Sequence, residues 1–349
     1  MKNILVTGGC GFIGSNFILR ILNRNKDLNV VNLDKLTYAG NKMNLSVVPK
    51  ERYTLVQGDI CDKGLVGALF NQYQFDSVVH FAAESHVDRS IDTPNQFIQT
   101  NIIGTLNLLE ESKNFFLKSK TKHFKFLHVS TDEVFGSLGM NGKFLENTPY
   151  DPSSPYSASK AGSDHLVRAW HRTYNLPTLI TNCSNNYGPY QFPEKLIPLM
   201  IINAIKEKPL PIYGKGENIR DWLYVIDHCD GIWSVLCNGK IGSTYNIGGN
   251  NEIKNKEIVK IICNILDQLI PRKNNGSYLE LITYVKDRPG HDFRYAIDAS
   301  KINLELDWTP KESFESGISK TIHWYLENSN WWESILDNTY RQERLGVIK

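Results

Sequence analysis

No excess of either charge is present: Lys plus Arg number 39 and Asp plus Glu 37, for a formal net charge of +2 at pH 7. A chain so balanced carries no overall field for a nucleic acid or an anionic membrane, which leaves only local basic pockets. Long apolar runs are missing too, none reaching the roughly 18 residues of a membrane span. The chain passes from Met1 through Lys2 and Asn3 into a strand-like run, without the charged, apolar and small-residue regions of a secretory leader. A cytoplasmic protein is the expectation. Cysteine is sparse and scattered: Cys10, Cys61, Cys183, Cys229, Cys237 and Cys263 form no Cys-x-x-Cys and have no histidine at ligand spacing. That excludes a disulfide framework and a zinc site from the expected chemistry, so no metal is anticipated. Neither an internal repeat nor a low-complexity tract breaks the chain.

What is present is alternation. The 349 residues suffice for one large domain or two. Short apolar runs at 3–7, 29–33, 53–57, 77–81, 125–129 and 177–181 are interleaved with helical patterns at 12–24, 62–73, 95–113 and 156–174. Near-continuous Val, Ile and Leu in such runs mark strands buried on both faces, as in a doubly wound parallel sheet. Beyond "NNYGP" (185–189) the regularity fades. Helices predicted at 195–206, 227–237, 255–268 and 313–327 are separated by Gly- and Pro-containing loops, which suits a smaller lobe over the mouth of the sheet.

"VTGGCGFIGSN" (6–16) falls where the first strand meets the first helix. Gly8, Gly11 and Gly14, three apart, allow a tight turn, a close backbone approach to a pyrophosphate and close packing of helix on strand. A glycine triplet alone is weak, because a plain strand-to-helix turn has the same look. Asp34 closes the second strand twenty residues after Gly14, where a carboxylate can accept from both ribose hydroxyls of an adenosine and would repel a 2′-phosphate. NAD is therefore expected over NADP, with Lys35 as a counter-argument. Asp59 fits either a contact to the adenine amine or a plain helix cap.

"SPYSASK" places Tyr156 and Lys160 four apart, on one face of a helix. An ammonium beneath a phenol stabilises the phenolate and turns tyrosine into a usable base. Alone the pair is common, and a surface contact would explain it.

These residues together resemble the extended short-chain dehydrogenases/reductases that act on nucleotide sugars, in particular their 4,6-dehydratase branch. "DKLTYAGN" (34–41), "FAAESHVDRS" (81–90), "STDEVFG" (130–136), "TNCSNNYGPYQFPEKLIP" (181–198), "IYGKGENIRDWLYV" (212–225), "YNIGG" (245–249) and "DRPGHDFRYAID" (287–298) carry the resemblance, from the N-terminus to about residue 300. It implies a Rossmann-like α/β fold with an NAD-binding domain at 1–184. A mixed α/β nucleotide-sugar lobe would cover 185–349, with some of its segments returning to the large domain. The stretch between Gly136 and Pro155 is short for that branch.

A 4-epimerase on this scaffold needs only cofactor, tyrosine and lysine, whereas a dehydratase must also take a proton from carbon 5 and expel hydroxide from carbon 6. Two acids in different protonation states are called for. The resemblance gives Tyr156 the 4-hydroxyl proton with Thr131 beside it, Glu133 the carbon 5 proton, and Asp132 the leaving 6-hydroxyl, with Lys160 supporting Tyr156. Neighbours on a regular strand point to opposite faces, so the chain must leave strand geometry before Asp132 and Glu133. The expected substrate is dTDP-glucose or, by loss of one methyl, UDP-glucose. A 4-epimerase and a non-catalytic NAD-binding regulator are the alternatives.

By the same resemblance Gly8, Gly11, Phe12, Ile13, Gly14, Asp34, Lys35, Leu36, Thr37, Asp59, Ile60, Phe81, Ala82, Ala83, Glu84, Thr100, Tyr156, Lys160 and Asn186 would border the cofactor. Ser85, Thr131, Asn185, Lys195, Leu196, Pro211, Ile212, Tyr213, Arg220, Asn255, Asp287, Arg288, Pro289, Gly290 and His291 would border the sugar nucleotide. Arg220 suits a diphosphate because its donors form a fork. His80 and His86 are left as structural. The helices at 95–113 and 156–174 are expected to build a homodimer through a four-helix interface.

Overall fold

The computed structural model describes residues 1–119, 123–288 and 290–338. Its chain begins β1 (Asn3–Thr7), α1 (Phe12–Arg24), β2 (Asn29–Asp34), β3 (Tyr53–Gln57), α2 (Lys63–Gln72) and β4 (Ser77–His80). Then come α3 (Val87–Asp92), α4 (Pro94–Phe97), α5 (Thr105–Lys118), β5 (Lys125–Thr131), α6 (Pro155–Tyr174) and β6 (Thr178–Cys183). The remainder holds β7 (Asn185–Tyr187), α7 (Leu196–Ile205), β8 (Leu210–Tyr213), β9 (Ile219–Tyr224), α8 (Val225–Asn238), β10 (Thr244–Ile247) and β11 (Glu252–Lys254). It closes with α9 (Asn255–Leu269), β12 (Ile282–Val285), α10 (Ser300–Leu306), α11 (Phe314–Glu327) and α12 (Ser329–Asn338).

Among the described residues, seven strands form one sheet in the order β10-β6-β5-β4-β1-β2-β3, every neighbouring pair parallel. Strand order reverses at β1, and the crevice beyond the carboxyl ends of β1 and β4 is where ligands bind in such sheets. The apolar runs read as strands because both faces are covered: Leu5 and Val78 pack toward α2 and α5, Ile4, Val6 and Val79 toward α1 and α8. Local signals agree with the elements. Ser154 caps α6 in a capping box with Ser157, Pro155 occupies its first turn, and Asn175 ends it in the left-handed conformation.

Two features depart from the expected pattern. Segments beyond residue 185 were expected to return to the large domain, but no strand was placed at 244–247; there β10 pairs with β6, Ile247 opposite Cys183. The helix expected at 95–113 is α4 and α5 joined by a π-helical turn, Ile98–Gly104. Asn101 sits within that turn and is tied away from the helix. Its side chain accepts from Glu84 N–H (2.9 Å) and donates to Glu84 O (3.0 Å) and Ser159 Oγ (2.8 Å), while Thr105 Oγ1 donates to Asn101 O at 2.6 Å. Such bulges favour functional sites. A second apolar core, with Ile201, Ile212, Ile258, Ile262 and Ile318, joins α7, α9 and α11 to β8.

Candidate functional site

A single cleft gathers the carboxyl ends of these strands. It is lined by Gly8, Gly11, Phe12, Ile13, Gly14, Asp34, Lys35, Thr37, Asp59, Ile60, Phe81, Ala82, Ala83, Glu84, Ser85, Thr100, Thr131, Asp132, Glu133, Tyr156, Lys160, Asn185, Asn186 and Lys195. Leu36 lies outside it, against a neighbouring aromatic recess with Tyr190 and Trp331.

The glycine turn divides its work. Gly8 has φ +72°, and a Cβ there would stand 2.6 Å from Ala82 N; one on Gly14 would stand 2.4 Å from Gly8 O. Both must be bare for the chain's own sake. A Cβ on Gly11 would meet only Gly8 O at 3.3 Å, so its bareness keeps room in the cleft. No side chain caps α1 at Gly11, which suits its first N–H groups to an anion. Asp34 is pinned: Oδ2 accepts from Cys10 N–H and Oδ1 from Leu36 N–H, both at 2.8 Å. Burial raises its carboxyl, against the pull of those N–H groups. Each oxygen keeps a lone pair for a ribose hydroxyl. Lys35 Nζ lies 2.7 Å from Asp59 Oδ2, so its charge is already answered. Asp59 caps no helix; Oδ1 accepts from Cys61 N–H, and the cap of α2 is Asp62.

β5 ends at Thr131, and Asp132–Phe135 form a 3₁₀ turn. That turn puts both acids on the cleft. Gly136 closes it at φ +88°, where a Cβ would stand 2.4 Å from Asp151 O. Thr131 Oγ1 accepts from Glu133 N–H at 3.3 Å and donates to Asp132 Oδ1 at 3.4 Å, and Thr131 pulls the Tyr156 phenol downward. Asp132 is 2% exposed, and its Oδ2 has no partner. Burial, then Glu133, drives the Asp132 carboxyl well above its ordinary value. Burial also raises Glu133, but Arg288, Lys195 and Arg220 oppose it. Burial and the neighbouring Glu133 favour the protonated form of Asp132, whereas three cations oppose burial at Glu133.

Tyr156 corrects an expectation. Its phenol is raised well above its usual value by burial, Glu133 and Cys183, with only Thr131 pulling the other way among its main influences. The reason is where the lysine goes: Lys160 Nζ donates to Val129 O (2.9 Å) and contacts His128 Nε2 (3.3 Å) on β5. Burial lowers Lys160 to about 8.

Leu196, β8, Arg220, Asn255 and 287–291 do not line the cleft; Pro289 is outside the described residues. Several of the others form a charged cluster that reaches it. Lys195 Nζ donates to Ser85 O (3.2 Å), Arg288 Nη1 to Asp88 Oδ1 (2.5 Å) and Tyr213 Oη to Asp88 Oδ2 (3.3 Å). His291 Nδ1 lies 2.7 Å from Asp287 Oδ1, with its ring edge-on to Tyr213. Gly290 has φ +63°. Leu196 opens α7 beside Lys195, and Pro211 and Ile212 pair with β12. Arg220 donates to the carbonyls of Ile219 and Asp292, and its guanidinium lies 4.3 Å from the Tyr295 ring centre. Asn255 N–H goes to Asn218 O, and its Oδ1 is buried without a partner. Asn186 ties Ser184 O to His228 Nδ1. His80 bridges Thr7 and Thr105 through its two nitrogens, a structural post as expected.

Sequence reasoning missed Asp88, Asn101, His128, Asp164 and Glu194. Glu194 accepts from Tyr38 Oη (3.0 Å) and Arg89 Nε (3.2 Å), tying the adenosine-side loop to Lys195. A signal for Asp164 was available: Tyr156, Lys160, Asp164 and Arg168 recur every four residues along α6. Among the described residues no group of three or more His, Cys, Asp or Glu is placed to hold a metal, and no helix is long and apolar enough to cross a membrane.

Comparison with known proteins agrees with this geometry. Residues 5–321 match the family model described as GDP-mannose 4,6 dehydratase. The chain is 57% identical over 356 residues to the dTDP-glucose 4,6-dehydratase of Neisseria meningitidis serogroup B, covering 100% of both. The crystal structure of the Bacillus anthracis dTDP-glucose 4,6-dehydratase in complex with NAD superposes with a TM-score of 0.86 at 46% identity, covering 96% of this chain and 100% of that one. DesIV, the Streptomyces venezuelae dTDP-glucose 4,6-dehydratase solved with NAD and TYD bound, gives 0.87 at 46% identity, over 95% and 99%.

Proposed function

The chain belongs to the family of nucleotide-sugar 4,6-dehydratases, and we propose that it converts dTDP-glucose to dTDP-4-keto-6-deoxyglucose with NAD as cofactor, a step of deoxysugar biosynthesis. The observation that carries this reading is the turn at Asp132–Phe135. Two adjacent carboxyls reach one cleft there, one raised by burial and by its acidic neighbour, the other with Arg288, Lys195 and Arg220 opposing the effect of burial.

Gly8, Gly11 and Gly14, the start of α1 and Asp34 would hold the dinucleotide. Asp34 disfavours a 2′-phosphate, and Lys35 is engaged with Asp59. NAD bound there would supply the hydride acceptor for carbon 4 and the hydride donor for carbon 6. Tyr156 takes the 4-hydroxyl proton, steadied by Thr131. Its phenol needs a nearby cation to give up its own proton, and Lys160 is the one a helical turn away. The ketone at carbon 4 acidifies carbon 5. Glu133 removes that proton while Asp132 protonates the departing 6-hydroxyl, so water leaves across carbons 5 and 6. Protonation of carbon 5 completes the turnover. A 4-epimerase would have no use for these acids. Lys195, Arg220 and Arg288 bring positive charge to the diphosphate side, with Ser85, Asn185, Leu196, Tyr213 and Asn255 around it.

The test is incubation with dTDP-glucose in deuterated water. The expected product is a 4-keto-6-deoxy sugar with deuterium at carbon 5; recovery of a galactose derivative, or no exchange at carbon 5, overturns the reading. A parallel incubation with UDP-glucose measures how far one methyl on the base matters, an effect of about 1–3 kcal/mol in a pocket.

The same reading divides the chain into a cofactor lobe, 1–184, and a sugar-nucleotide lobe, 185–349, with β10 returning to the large sheet. It places the protein in the cytoplasm as a homodimer. The six cysteines are free. Ile98 and Ile103, 41% and 37% exposed on the π-helical turn, and Leu117 on α5 present apolar surface where the four-helix contact is expected.

A further inference from the structure

Behind Tyr156 and Lys160 lies a buried polar cluster that the mechanism above does not use. Asp164, one turn beyond Lys160 on α6, is fully buried, as is His128 on β5. His128 Nε2 stands between them, 3.3 Å from Lys160 Nζ and 3.2 Å from Asp164 Oδ1. Asp164 Oδ2 accepts from Tyr150 Oη (2.8 Å), Ser130 Oγ (2.9 Å) and Asn182 Nδ2 (3.4 Å). Arg168, a further turn along, donates to Tyr150 Oη at 2.6 Å.

Three hydrogen-bond donors converge on one carboxylate oxygen at a site without water access. That arrangement stabilises the ionised form, and a buried anion is tolerated only beside a counter-charge. We infer that Asp164 is a positioning residue: a buried anion that keeps Lys160 as an ammonium one helical turn from Tyr156, with the His128 ring between the anion and the ammonium. The inference rests on the assignment of Lys160 as the support of Tyr156.

The other groups facing Lys160 do not replace it. Tyr156 is on its own helix. His128 on β5 and His80 on β4 are buried and neutral at pH 7, both depressed by burial first and by Lys160 among their neighbours. Cys183 on β6 is a buried thiol pushed up by burial. Asp132 and Glu133, on the turn after β5, act on Tyr156. Burial alone would raise Asp164, yet His128, Lys160 and Tyr150 bring its carboxyl below the ordinary value. Burial lowers Lys160, and Asp164 is the largest opposing influence.

Replacing Asp164 by Asn keeps the shape and removes the charge. The alkaline limb of the kcat profile should then move to lower pH by about one unit or more, the usual effect of losing one close counter-charge, with KM little changed. Asp164→Glu should move the limb back toward wild type. A purely structural role would lower kcat alike at all pH values, and that result overturns the inference. A second measurement reads Asp164 in the wild-type chain and does not depend on how the Asp164 variants fold. The labelled Asp164 carboxyl carbon, followed by NMR, should show an inflection as Lys160 deprotonates near pH 8, one that Lys160→Met abolishes. A flat trace through that range overturns the proposal. The titration uses no substrate, so a flat trace in a chain that still dehydrates dTDP-glucose speaks against Asp164, whereas a wild-type chain that fails to act on it speaks against the function.

Discussion

Asp132 and Glu133 are consecutive in the chain and differ in surroundings: Asp132 Oδ2 is buried without a partner and has Arg220 alone among the cations that act on it, while Arg288, Lys195 and Arg220 all act on Glu133. Elimination needs this asymmetry, because two acids in equal surroundings would not separate into a proton donor and a base. The cations come from loops and strands 62 to 155 residues further on, which makes the difference a product of the folded chain.

Glu133→Gln should leave oxidation at carbon 4 intact and stall removal of the carbon 5 proton. In a single turnover with dTDP-glucose, reduced nicotinamide should build up and persist, and overall turnover should fall by about 10²–10⁴-fold, the usual size of a general-base contribution. Turnover at the wild-type rate would assign the base elsewhere. Tyr156→Phe makes the contrasting case, with no reduced nicotinamide formed.

The dimer has its own test. Ile98→Glu together with Ile103→Glu puts two charges on surface that is 41% and 37% exposed in the single chain. Sedimentation should then give half the wild-type mass. Wild type sedimenting as a monomer overturns the dimer, and a doubly substituted chain that stays dimeric moves the interface elsewhere.

Much of this was legible in the sequence, and the exceptions share a cause. β1, β5 and β6 were readable because burial on both faces leaves unbroken apolar runs, and α6 because Ser154, Pro155 and the Tyr156/Lys160 spacing are local signals. β10 was not, since four residues pairing with a strand some sixty positions earlier carry no local pattern. The helix at 95–113 was found but its π turn was not, because Asn101 is diverted by Glu84 and Ser159 across space. The direction of the Tyr156 shift was misread for the same reason: spacing reports that Lys160 shares a face with it, whereas burial and Glu133 are properties of the assembled site.

Gly136→Ala should damage the site from outside the reacting groups. The position has φ +88°, and its Cβ would lie 2.4 Å from Asp151 O, a backbone atom that cannot swing aside. A left-handed conformation forced on alanine costs about 1–3 kcal/mol, and relief by moving the turn would displace Asp132 and Glu133. Both a lower melting temperature and a lower kcat are expected, with cofactor binding retained; an alanine variant with wild-type kcat would show that the turn tolerates the change.

Asp132→Asn should lose turnover while gaining stability. Burial and Glu133 raise the Asp132 carboxyl far above the ordinary carboxylate value near 3.9. In the window from about pH 4 up to the folded carboxyl's own value, the native state holds a proton that the unfolded chain has lost. Stability from this group is therefore complete below pH 4 and declines as pH rises through the window. Asparagine carries no such liability and fills nearly the same volume, so the variant should be more stable than wild type by about 1 kcal/mol at neutral pH. The gap should widen with pH in denaturant melts run from pH 5 to pH 8. A gap independent of pH would mean that Asp132 is ionised in the native protein, and the donor of the proton to the leaving hydroxyl would have to be sought elsewhere in the cleft.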